Sequence, residues 1–179
     1  MPPILVPDGK EVLVKRGVLA AAVLLFLAAT GCSGTSLQSY KPKDDDEAFI
    51  VATLMKIPNG IKAKSVDIVM QAYGDDLYVG NFDKYLGVAT DRSVTRIGKP
   101  ELRQAYAQVF RAVKDLSMDI KDFRLIVQSD RASAEAYTEL LIKKEAGRKE
   151  AREELIRNDV TWRLKRGPMG WKIQEEIFH

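Results

Sequence analysis

From Met118 to the C-terminus, apolar residues recur at every second position, and this alternation constrains the fold more than any other feature of the chain. A period of two places successive side chains on opposite faces of a strand. Residues 118–128 read as one strand, followed by a turn at Asp130-Arg131. In the next strand Ala132, Ala134, Ala136, Thr138, Leu140 and Ile142 share one face, against Ser133, Glu135, Tyr137, Glu139 and Leu141 on the other. A charged hairpin tip over 143–154, with Gly147 in it, leads to Ile156, Asn158, Val160, Trp162 and Leu164, which alternate with Arg157, Asp159, Thr161 and Arg163. After the turn Gly167-Pro168-Met169-Gly170, strict alternation places Trp171, Ile173, Glu175 and Ile177 on one face of a last strand.

Upstream the period is helical. Ile50, Leu54, Ile57 and Ile61 fall on one stripe of a helix entered through the acidic run 44–47, where the helix dipole favours negative charge. Pro58 predicts a kink or restart, because it lacks the N–H that the preceding turn accepts. Ser65 has the character of an N-cap for a second helix carrying Val66, Val69, Met70 and Tyr73 on one face, ended by Gly74 and the Asp75-Asp76 pair. A short turn of helix over 83–86 and a strand over 92–97 come next. Gly98-Lys99-Pro100-Glu101 then opens a third helix with Leu102, Tyr106, Val109, Phe110 and Val113 as its buried stripe. Helices first and an antiparallel meander last make an α+β plan.

The amino end carries a different signal. Residues 17–30 form an uncharged apolar run of 14, short of the roughly 20 needed to span a bilayer, preceded by Lys15 and Arg16 and followed by small residues. That is the pattern of a secretory signal peptide. The sequence Ala28-Ala29-Thr30-Gly31-Cys32 resembles the bacterial lipobox, with Ala29 where Leu is usual. The resemblance implies acylation of Cys32 and, with Ser33 after it, a place in the outer membrane facing the periplasm. Two acyl anchors are what stable attachment requires. The expected organisation is a signal peptide over 1–31, a lipidated Cys with a flexible tether over 32–46, and one domain over 47–179.

Composition narrows the chemistry. The chain has 179 residues with a single Cys and a single His, His179, so neither a disulfide framework, a Cys-based zinc site nor His-based acid–base catalysis is expected. A net charge of +3, evenly spread, does not point to nucleic acid, and no cofactor or metal is expected.

The order of elements, together with GIKAKSVDIVMQAYGDD, the GKPELRQAY helix start and the terminal VTWRLKRGPMGWKI, resembles the NTF2-like superfamily, including SnoaL-like and ketosteroid-isomerase-like domains. The resemblance spans about residues 47–179. It implies a cone, with N-terminal helices packed in a curved antiparallel sheet and inward strand residues lining a cavity. The candidate pocket residues are Tyr73, Tyr106, Asn158, Trp162 and Glu175. Glu175 has two readings: a pocket acid paired with Asn158 and Tyr73 or Tyr106, or a carboxylate wetted where the sheet end frays. The opposite face carries Tyr137, Leu141 and Leu155, which suit a homodimer interface. No catalytic residue transfers from the family onto this chain. The leading expectation is a lipid-anchored, non-catalytic domain that binds a small apolar ligand or a protein partner. The alternatives are an isomerase- or cyclase-type enzyme with Glu175 as base, or a structural partner in an envelope complex.

Overall fold

The computed structural model describes residues 35–82, 96–144 and 152–179. Along them run a 3-10 turn (Leu37–Ser39), helix α1 (Asp45–Lys62), a short helix α2 (Val66–Met70), strands β1 (Tyr73–Gly80) and β2 (Arg96–Ile97), and helix α3 (Lys99–Ala112). Strands β3 (Asp115–Gln128), β4 (Arg131–Lys144), β5 (Arg152–Gly167) and β6 (Gly170–Phe178) complete the domain. The strands form one curved six-stranded sheet in the order β2-β1-β6-β5-β4-β3, the α+β plan expected for an NTF2-like cone. The expected signal peptide and Cys32, the helical turn over 83–86, most of the strand over 92–97 and the hairpin tip over 145–151 lie outside the described residues.

The helices form for the reasons read from sequence. Asp44 caps α1 by accepting from the Glu47 N–H at 2.8 Å, and Ile50, Leu54, Ile57 and Ile61 are all buried. Pro58 does not restart the helix: α1 runs through it with Ile57, Pro58, Gly60 and Ile61 all buried, a packing gain that offsets the missing hydrogen bond. Gly60 is required by close approach. A Cβ there would lie 2.5 Å from Val69 Cγ2 and 2.7 Å from the Val69 nitrogen, so only glycine lets α2 lie against α1. Ser65 caps α2 through the Ile68 N–H, and Glu101 accepts from the Gly98 N–H at the start of α3.

Three departures from the sequence reading position the site. First, α2 stops at Met70 and Tyr73 begins a strand; β1 runs parallel to β6 and antiparallel to β2. Local periodicity does not show a strand whose partner lies about a hundred residues away. Second, β6 carries a bulge. Leu164 pairs with Ile173, but the next β5 residue, Arg163, pairs with Glu175, which leaves Gln174 as the extra residue. Beyond it the alternation inverts: Trp171, Ile173, Glu176 and Phe178 are buried, while Glu175 and Ile177 are only half-buried.

Third, most of the segment expected as a flexible tether belongs to the domain. The Phe123 N–H donates to the Thr35 carbonyl at 2.9 Å, at a second bulge where Asp122 has φ of 53°. Leu37 is 1% exposed, a burial that stabilises by about 1.5–3 kcal/mol. Tyr40 packs edge-on against Phe123 at 5.0 Å and donates its hydroxyl to the buried Glu47 carboxylate at 2.9 Å. Burial, and then this bond to Glu47, push the Tyr40 hydroxyl up to about 12.

Candidate functional site

The centre of the sheet holds one carboxylate in an apolar setting. Glu176 is 1% exposed. It faces Trp162 across the β5–β6 ladder, and the Trp162 Nε1–H donates to Glu176 Oε1 at 2.7 Å. From β1, the Tyr73 hydroxyl donates to Oε2 at 2.9 Å. Burial raises the Glu176 carboxyl to about 7, and the two hydrogen bonds oppose that rise. Both oxygens therefore have a side-chain donor, and the group sits at the boundary between acid and carboxylate at neutral pH.

This arrangement corrects the sequence reading of the pocket. Of the five candidates, Tyr73 and Trp162 do converge on a carboxylate, but it is Glu176. Glu175 lies on the outer face and accepts from Arg163 at 2.6 Å, because the extra residue Gln174 reverses the facing of everything after it. Asn158 is buried opposite Thr138, four residues from Trp162, or about 13 Å along β5. Tyr106 is buried on α3 in a tilted contact with Phe110 at 5.5 Å.

On the outer face Leu141 and Leu155 are direct cross-strand partners, with Leu155 43% exposed. Tyr137 shares their face, but Glu139 stands between, bound by Lys121 at 2.5 Å and Arg157 at 3.3 Å. The apolar patch expected at a dimer interface is thus divided by an ion triad.

A surface cleft of about 730 Å³ opens where α2 ends, β1 and α3 begin, and β5 turns into β6. Lys99 reaches from α3 to the Tyr73 carbonyl at 3.0 Å and to Asp75 at 2.8 Å, holding the Asp75 carboxyl below its usual range. Arg103 pairs with Asp67 at 2.8 Å. Lys172 donates to the Gln71 carbonyl at 2.6 Å. The Lys172 ammonium is pushed down by burial first, and then by the charges of Lys56 and Lys99. Asp75 and Asp76, read as a helix end, are exposed residues of β1 on this cleft.

Solved structures share this architecture. A candidate dehydratase of the NTF2-like family from Streptomyces avermitilis aligns at TM-score 0.55 and 14% identity, over 76% of this chain and 97% of its own. The fold is NTF2-like. A ketosteroid isomerase-like protein from Erwinia carotovora atroseptica aligns at TM-score 0.55 and 19% identity, over 75% and 95% of the two chains. A cystatin-like-fold protein of unknown function from Nostoc punctiforme aligns at TM-score 0.57 and 13% identity, over 78% and 93%. No family model and no curated protein matches the chain. At these identities the likeness carries the NTF2-like fold and nothing about chemistry.

Within that fold, sequence reasoning missed Glu176. The available signal was the run Gln174-Glu175-Glu176 followed by Phe178: strict alternation from Ile173 would leave Phe178, a large aromatic, on the outer face.

Proposed function

We propose that this protein is a lipid-anchored component of the bacterial cell envelope whose NTF2-like domain binds a partner or ligand and does not catalyse a reaction. The observation that carries the non-catalytic reading is the state of Glu176. A general base needs a lone pair directed at the substrate's proton. Here the group is 1% exposed, and each oxygen accepts from Trp162 or Tyr73, so no lone pair faces an open site and the group acts as an internal strut between β1, β5 and β6. An apolar ligand inside the cone would have to displace that cluster, which favours recognition on the outside of the domain. The anchoring reading is supported by the apolar run over 17–30 ending at Gly31-Cys32. Only Ser33 and Gly34 separate Cys32 from the docked residue Thr35.

Fractionation of bacteria expressing the full chain tests the anchor. The wild-type chain is expected in the membrane fraction with an acylated Cys32 peptide by mass spectrometry, and Cys32→Ser in the soluble fraction. Membrane retention of Cys32→Ser would sink the anchoring reading.

A second reading has one observation in its favour. The Glu176 carboxyl near 7 is suited to proton transfer at neutral pH, so a cone enzyme with Glu176, not Glu175, as its acid–base group is the competing hypothesis.

A further inference from the structure

Across three adjacent strands, cations sit directly opposite one another. Arg131 on β4 pairs with Lys165 on β5, and Lys165 pairs with Lys172 on β6. Like charges facing each other across a ladder are destabilising. With adjacent strands about 4.8 Å apart, the row spans roughly 10 Å.

Among the described residues the neighbouring acids neutralise it only in part, Asp75 attracting Lys172 less than Lys56 and Lys99 repel it. Glu175 is engaged by Arg163, Asp75 by Lys99, Asp67 by Arg103 and Asp46 by Arg166. Of the acids lining the 730 Å³ cleft, this leaves Asp76 without an ion pair, against Lys165 and Lys172. Lys172 also has Lys56 and Lys99 close enough to repel its charge. Lys165 lines both this cleft and a second one of about 590 Å³ that reaches Arg131, so the row joins two concavities. The rim beside it carries Met169, 84% exposed, at the β5–β6 turn.

We propose that the cation row Arg131, Lys165 and Lys172 is a binding site for a phosphate-bearing ligand. A phosphate group brings up to two negative charges and three acceptor oxygens, enough to bridge neighbouring ammonium groups and turn their repulsion into attraction. Lysine binds phosphate as a point charge, whereas planar carboxylates favour the arginine fork, and the two arginines of the first cleft are already engaged by acids. The phosphate belongs either to a soluble molecule or to a phospholipid headgroup. The proposal rests on the binding reading above, but not on the anchor. A chain held in the membrane through Cys32 that shows no phosphate response keeps the anchor and loses this site.

The test is thermal unfolding of the full-length protein in neutral detergent micelles. Sodium phosphate is compared with sodium chloride at matched ionic strength, and micelles doped with phosphatidylglycerol with micelles doped with diacylglycerol, which carries no phosphate. Ligand at ten times its Kd is expected to raise the midpoint by about 4 °C. The double variant Lys165→Gln/Lys172→Gln is expected to fold and to lose that rise. A response to phosphate alone assigns a soluble ligand, and a response to phosphatidylglycerol alone assigns a headgroup. Equal effects of phosphate and chloride without a phosphatidylglycerol response, or an undiminished response in the double variant, would overturn the proposal.

Discussion

The indole N–H of Trp162 lies 2.7 Å from Glu176 Oε1, so a tryptophan and a carboxylate satisfy each other in the interior of the sheet. Each needs the other: the indole donor requires an acceptor when buried, and the carboxyl requires donors to remain there.

Because the Glu176 carboxyl is raised from 4.5 to about 7, the folded chain binds a proton more tightly than the unfolded one. Stability from this group is therefore fully present below about pH 4.5 and is lost as pH rises through about 7, a decline of about 3 kcal/mol. Glu176→Gln removes the ionisation and should flatten this part of the stability–pH curve. Urea unfolding of both forms at several pH values from 4.5 to 8 measures it, and an unchanged slope in the variant would refute the assignment.

Deleting Gln174 removes the bulge. Glu175 would then follow Ile173 directly, and strict alternation keeps Glu175 outward and Glu176 and Phe178, which is 0% exposed, inward. The variant is expected to keep a cooperative thermal transition, with a loss of about 1–3 kcal/mol from the changed local twist. A deletion variant without a cooperative transition would mean that Gln174 is more than the extra residue of the bulge.

At Gly60 a methyl group meets Val69 at 2.5 Å, in part through backbone that cannot rotate aside. Gly60→Ala should gain helix propensity but lose more to overpacking, for a net destabilisation of about 1–3 kcal/mol. Chemical denaturation midpoints give the sign directly; a stabilised variant would show that α2 can move away from α1.

The elements that were legible from sequence are those whose signal is local. The face of β4 from Ala132 to Ile142 is buried as the period of two requires, and the α1 stripe as the helical period requires. What escaped depends on distant partners. Tyr73 reads as the end of a helix until β6 arrives beside it, and Leu37 lies in a polar segment that finds its place, through Leu37 and Tyr40, against β3. Carrying the alternation through Gln174 misassigns the pocket acid by one residue, although both of its partners, Tyr73 and Trp162, stand among the candidate pocket residues. The sheet face expected to pair copies of the chain could be located, but the Glu139 ion triad across it arises from register between strands, which composition does not show.

The parallel pairing of β1 with β6 also has a kinetic side. Tyr73 and Glu176 stand 103 positions apart, so the hydrogen bond between them closes a long loop of the chain. Contacts of such separation are reached slowly, because chain entropy opposes them before any contact energy is gained. The first strand therefore waits for the last. During synthesis from the amino end, β1 has only its short neighbour β2 until the C-terminal strand emerges, and even a small truncation at that end leaves its other edge without a partner.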